Sequence, residues 1–202
     1  MAGPEGLVAE ASVVSEGGHS RWLLPAVDAL LHGLGLAASS LDLFAVTTGP
    51  GSFTGLRVGL GSVQGLALAS GRRCLGVSTL DVLAHTAQGS AGTIVALVDA
   101  FRGEVFSAVY DGEARLRRER QLGTLAATLD GLPPGTAFVG DAGTANRATI
   151  QAAVAGALFP PTSGFLAASL ALLALRRAPE AVPPSELRPL YLRAADIRPS
   201  RA

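Results

Sequence analysis

Apolar positions recur along the chain in a strand–helix rhythm. The run "LVAEASVV", 7–14, predicts a strand. Beyond it, Leu23, Val27, Leu30, Leu31 and Leu34 fall at helical spacing, so "RWLLPAVDALLHGLGL" predicts an amphipathic helix with Ser20 as its cap. Pro25 inside it predicts either a kink or the first regular turn. A strand at 41–47, a Gly-rich helix over 52–70, a strand "RCLGVS" at 73–78 and a short helix "TLDVLAHTA" follow. The linker-like "QGSAG", 88–92, interrupts the rhythm, which then restarts. "TIVALVD", 93–99, is a continuous apolar run, as in a buried strand, and "GEVFSAVY", 103–110, alternates like its hairpin partner. "EARLRRERQ" predicts a third strand with arginines on its outer face. A helix near 123–130, a strand at 136–141 and a helix reaching 157 come next. "SGFLAASLALLALRR", 163–177, predicts a helix buried on most sides, capped by Ser163, with Arg176 and Arg177 at the negative end of its dipole. This pattern predicts two α/β lobes, 1–90 and 91–202, the second ending in a Pro-rich tail with "PLYLR".

Composition narrows the function classes. Apolar residues make up 49% of the 202 and charged residues 16%, which excludes a disordered chain. The formal net charge is zero, so no overall basic character advertises a grip on nucleic acid. One cysteine, Cys74, excludes an internal disulfide and a cysteine-rich zinc site, and fits a reducing, cytoplasmic setting. The N-terminus lacks the basic start and apolar stretch of a signal peptide. The apolar helix at 163–177 is too short for a membrane, which takes about 20 residues. All 16 basic residues are arginine, so a Walker lysine, a Schiff-base lysine and a lysine general base are impossible.

The most distinctive stretch is "TTGPGSFTGLRVG", 47–59, which has the rhythm of a strand, a Gly-rich turn and a helix start. Such a turn often cradles phosphate. Here Gly49, Gly51 and Gly55 spell GxGxxxG, one residue too long for a dinucleotide fingerprint. The plainer reading is a tight turn through Gly49, Pro50 and Gly51, with Ser52 or Thr54 capping the helix that runs on through Phe53 and Arg57. Gly55, Gly59, Gly61 and Gly65 all lie inside that helix, although each interior glycine costs about 1 kcal/mol against alanine. Gly61, Gly65 and Ala69 form a smooth stripe, suited either to packing on the protein's own sheet or to docking another subunit. His19, His32 and His85 are scattered and lack zinc-motif spacing. No GxSxG nucleophile motif occurs, and Asp99, Glu104 and Asp141 are isolated carboxylates at strand ends. No catalytic residue and no metal ligand is assigned.

"GPGSFTGLRVGLGSVQGLAL" resembles the signature of the TsaB (YeaZ) family, the catalytically silent relatives of the TsaD transferase in bacterial threonylcarbamoyladenosine tRNA modification. "HSRWLLPAVDALL", "GVSTLDVLA", "VALVDAFRGEVFSAVY" and "PLYLR" resemble its other blocks, so the resemblance covers nearly the whole chain. It implies the two-lobed actin and sugar-kinase (ASKHA) fold. The family opens with a strand, an Asp-Thr-Ser-like turn and a second strand, whereas this chain starts at what matches the third. The N-terminal lobe is therefore expected to lack its first strands. Either the gene product begins upstream or the chain is a destabilised remnant with an exposed strand edge. The family's "DARRGEVY" stands here as "DAFRGEVF", with Phe101 replacing a basic residue.

The resemblance implies a non-catalytic scaffold that pairs with a TsaD-like transferase for threonylcarbamoylation of adenosine beside the anticodon. A TsaE-like ATPase joins through the complex, tRNA is met only indirectly, and the chain alone can homodimerise. The expected docking face comprises Leu23 and Val27 on the first helix and Leu60, Gly61, Gly65 and Ala69 on the second. Leu60, Val63 and Leu66 are expected to supply its apolar area. Of the two hairpin turns that grip phosphates in this fold, one falls in the missing segment. The other, Asp99 to Gly103 with Arg102, is degenerate, so ATP binding by the chain alone is expected to be weak or absent and no cofactor is assigned. The signature turn is then the start of an interface helix. The rival readings are a glycoprotease-like peptidase and a small ATPase or kinase of the same fold.

Overall fold

A strand needs a partner, and the first predicted one does not find it. The structure, a computed structural model, describes residues 1–12 and 19–192. Ala2–Gly3 (β1) and Gly6–Leu7 (β2) form a minimal antiparallel hairpin, closed by amides of Val8 and Ala9 donating to the Met1 carbonyl. Residues 8–12 pair with nothing in a sheet, which corrects the strand expected over 7–14. The last two residues of that strand, and the Ser20 side chain expected as a cap, lie outside the described residues. The first helix, His19–Gly33 (α1), contains Pro25. Leu31 is buried on it, and Leu23, Val27 and Leu30 are half-buried on the same side, as the spacing requires.

Leu43–Gly49 (β3) leads into Phe53–Ala69 (α2), and Arg73–Ser78 (β4) returns parallel to β3. Ser52 caps α2 by accepting from the Gly55 amide at 3.3 Å, which decides between the two cap candidates. Phe44, Val46, Leu60, Ala67, Cys74 and Leu187 form the core between α2 and this sheet. Among the described residues, β3 has no strand on its outer edge. Ser78 then caps Thr79–Thr86 (α3), whose Leu80, Leu83 and Ala84 pack against Ile94 and Ala96 of the next sheet.

That sheet carries the order β7-β6-β5-β8, from Thr93–Asp99 (β5), Glu104–Asp111 (β6), Leu116–Thr124 (β7) and Ala137–Val139 (β8), with Leu125–Leu129 (α4) between the last two. β5 pairs antiparallel with β6 and parallel with β8, so it is central and its interior is buried, as a continuous apolar run demands. The helix expected up to 157 is two, Asp141–Ala145 (α5) and Arg147–Ala153 (α6). The break is Asn146, whose side chain donates back to the Ala142 carbonyl and competes with helix propagation.

The last helix, Ala167–Arg176 (α7), starts later than expected. Ser163 accepts from the Phe165 amide ahead of it and is not its cap; the Ala168 amide is satisfied instead by Glu10 at 2.9 Å. Only Ala174 is buried, so the helix is half-buried and not enclosed. Leu170 and Leu173 face Leu75, Val77 and Val82 of the first sheet region. The chain beyond α7 stays there. Cys74 and Val182 exchange two backbone hydrogen bonds, Gln64 donates to the Pro184 and Leu187 carbonyls, and the Leu190 amide donates to Thr48. Within the stretch read as the second lobe, 167–192 runs over β3 and β4, where an uncovered parallel pair would expose apolar surface. No described helix is long and apolar enough to cross a membrane.

Candidate functional site

The signature turn begins where β3 ends. Gly49 has φ +111°, and a Cβ there would lie 3.0 Å from Leu56 and 3.1 Å from the Leu190 carbonyl, so the tail crosses the turn at backbone distance. The Gly49–Pro50 peptide is cis. The Gly49 carbonyl accepts from the Ser78 hydroxyl, tying the turn to the start of α3. Past the Ser52 cap, Phe53 is 53% exposed. Its ring lies 6.1 Å from that of Tyr191, and the Arg57 guanidinium sits 3.8 Å over it.

A second turn faces the first. Asp99 ends β5, and Phe101, Arg102 and Gly103 follow with φ of 60°, 57° and 78°. Two consecutive left-handed residues other than glycine are strained, and Phe101 in particular is a steric outlier. The turn is held by its acids. Asp99 accepts from the Phe101 amide at 2.9 Å, and Asp141 accepts from the Asp99 and Ala142 amides at 3.1 and 2.8 Å. The Phe101 amide is therefore engaged inside the turn. The Phe101 ring projects outward, 74% exposed.

The two turns line one open groove of about 790 Å³. Pro50, Gly51, Ser52, Phe53 and Arg57 come from one side, Asp99 and Arg102 from the other. Two stretches about fifty residues apart, expected as separate features, are thus one surface. Tyr191 and Phe106 complete it, and sequence reasoning missed them: the tail carried no chemical signal, and Phe106 read as an ordinary strand residue. A smaller cavity of about 390 Å³ adjoins Pro50 and Gly51 and reaches Asp141, Thr144 and Ser163. Thr54 and Gly55 belong to the first turn of α2 and do not line either space.

The expected docking residues separate. Gly61, Gly65 and Ala69 are exposed, and a Cβ at either glycine would meet nothing within 4 Å. Leu60, expected on the docking face, is 5% exposed and packs in the core. Val63 and Leu66 also turn toward that core. The reason is geometric: successive helix residues point about 100° apart, so Leu60 takes the sheet side and Gly61 the solvent side. The exposed apolar residues nearby are Leu68 on α2 and Trp22 and Leu24 on α1.

A polar cluster lies apart from the groove. Asp81 receives Arg120 at 2.6 and 2.7 Å, Arg177 at 3.2 Å and the Tyr110 hydroxyl at 2.8 Å; Arg177 also pairs with Glu180. Burial, then the Asp81 charge, pushes the Tyr110 hydroxyl well above its usual pKa. Glu180 is held low by its hydrogen bond from Arg177. Among the described residues, no group of His, Cys, Asp or Glu could hold a metal ion.

Comparison with known proteins places these features in a family context. A family model described as tRNA N6-adenosine threonylcarbamoyltransferase, TsaD, matches residues 13–135. The tRNA threonylcarbamoyladenosine biosynthesis protein TsaB of Escherichia coli is 40% identical over 94 residues, 46% of this chain and 41% of that protein. The chain thus spans less than half the length of that relative. Among solved structures, YeaZ from Pseudomonas aeruginosa superposes with a TM-score of 0.69 at 33% identity, over 86% of this chain and 84% of that one. A Pseudomonas aeruginosa protein described as similar to peptidase YEAZ gives a TM-score of 0.73 at 32% identity, over 87% and 84%.

Proposed function

The chain belongs to the TsaB/YeaZ family and has its actin- and sugar-kinase-like α/β architecture, and from that premise we propose that it is a non-catalytic scaffold. In this reading it docks a TsaD-like transferase that carries threonylcarbamoyl to a tRNA adenosine, and a TsaE-like ATPase joins through the complex. The observation that carries the docking half is the outer face of α2. Gly61 and Gly65 face open space, Ala69 and Leu68 continue the strip, and Leu68 is 74% exposed. Glycines with nothing to pack against lower helix stability without return inside the monomer. A close-approaching partner helix supplies the return. Leu23 and Val27, half-buried on the neighbouring α1, complete the docking face in this reading.

The same reading makes the chain a poor binder of ATP on its own. The Asp99–Gly103 turn has its Phe101 amide occupied by Asp99, and it carries the bulky, exposed Phe101 ring. A peptidase would need a nucleophile beside a base. The Ser52 and Ser78 hydroxyls are used at helix starts, and the buried Nδ1 of His85 has no hydrogen-bond partner.

Gly65→Leu tests the docking face through two measurements, the melting temperature alone and the affinity for the transferase. Folding should be unchanged or improved, while overpacking at the docked face costs about 1–3 kcal/mol, roughly a tenfold to hundredfold loss of affinity. Unchanged affinity removes α2 as the docking helix.

A further inference from the structure

We propose that the groove between the signature turn and the Asp99–Gly103 turn is a stacking site for unpaired bases of an RNA strand. Three of the chain's seven phenylalanines and one of its two tyrosines line it: Phe53, Phe101, Phe106 and Tyr191. Phe53, Phe101 and Tyr191 are each more than half exposed, although each ring buried would remove some of the largest apolar areas available to a side chain from water. Folding gives no reason to gather them at one place in solvent. Their chemistry fits flat π-faces: every base has one, and bases stack on aromatic side chains and on guanidinium planes. Arg57 extends the platform from above Phe53.

Charge selects the rest of the ligand. Arg57 and Arg102 line the groove against a single carboxylate, Asp99, which already accepts from the Phe101 amide. That balance suits a strand with one negative charge per residue. It suits a free triphosphate less, because concentrated charge needs the backbone amides that this turn uses internally. The left-handed backbone at Phe101, pinned through Asp99 and Asp141, presents its ring rigidly. The proposal rests on the tRNA-modification reading for the identity of the RNA. It makes the contact with RNA direct, where the sequence implied only an indirect one.

The test uses the full chain without the transferase, so that it stands apart from docking. The probe is a fluorescein-labelled single-stranded heptaadenylate, read by anisotropy. The expected Kd is on the order of 10–100 µM, as for non-specific binding at moderate salt. An abasic strand with the same phosphates should bind about 5- to 150-fold more weakly. Phe101→Ala and Tyr191→Ala should each lose binding by about fivefold or more at unchanged melting temperature, and Phe101→Trp should keep it. If Phe101→Ala perturbs folding, Tyr191→Ala decides. Gly65→Leu should leave strand binding intact even where it abolishes docking. Equal affinity for the abasic strand, or a Kd weaker than about 1 mM, overturns the proposal. So does displacement of the strand by equimolar ATP, which would make the groove a mononucleotide site. Loss of transferase binding in Phe101→Ala with strand binding retained would make it a protein-docking site instead.

Discussion

Asp81 and Phe101 sit in regions that treat water in opposite ways. Around Asp81, the carboxylate and its two arginines lie largely out of solvent and each is answered: two arginines and a tyrosine converge on one carboxylate, and the more exposed Glu180 pairs with Arg177 from the solvent side. Around Phe101, large rings stand in solvent on a strained turn. The first arrangement joins α3, the β6–β7 hairpin and the end of α7, three parts of the chain far apart in sequence. It gains nothing from a further partner. The second is unfinished as a monomer and gains wherever a flat apolar ligand covers it. The contrast separates polar residues that hold the fold from apolar residues that the fold leaves available.

The largest expected effect tests whether the groove rests on a rigid floor. Gly140 precedes Asp141 with φ +100°, and a Cβ there would clash with the Leu97 carbonyl oxygen. Gly140→Ala forces both backbone strain and a backbone clash, and should lower stability by about 3 kcal/mol or more. Calorimetry that finds the melting temperature unchanged would mean that the Asp141 support yields freely. Next comes Asp81→Asn, which leaves Arg120 and Arg177 without their shared counter-charge. Loss of a fully buried partner costs about 3–5 kcal/mol, and partial exposure reduces this to about 2–3 kcal/mol in urea denaturation. A change below about 0.5 kcal/mol would show a cluster no better than surface ion pairs, and the contrast with the groove would collapse.

The same cluster predicts a pH dependence. The Tyr110 hydroxyl is raised in the folded state, so the unfolded chain releases that proton first as pH climbs. Stability is fully present below the ordinary tyrosine value of about 10 and declines above it. Tyr110→Phe should flatten the decline between about pH 10 and 11.5 relative to the parent; parallel curves would place the hydroxyl in solvent. The smallest effect is expected at the groove. Phe101→Gly removes a bulky residue from φ +60° at the expense of a more flexible unfolded chain, for a net gain of about 0–1 kcal/mol. A loss of more than about 1 kcal/mol would mean that the ring supports the fold.

Local pattern determined most of the elements, though not the strand expected over 7–14 or the single helix expected up to 157. Helical spacing of Leu23, Val27, Leu30 and Leu31 set the buried side of α1, a hydroxyl ahead of an apolar run made Ser52 a cap, and the apolar run at 93–99 became the central strand. These follow from interactions within a few residues, which sequence displays directly. The Ser163 cap lay beyond that scale: Glu10, from the far end of the chain, accepts from the Ala168 amide at the helix start instead. Leu60 and Gly61 show the boundary case. Sequence supplied both, but only the position of the sheet decided which faced the core. The return of 167–192 over β3 and β4, the meeting of Asp81 with Arg120 and Arg177, and the approach of Tyr191 to Phe53 belong wholly to the tertiary structure. Each joins residues tens to more than a hundred positions apart, and no local periodicity records which distant surfaces the packed chain brings into contact.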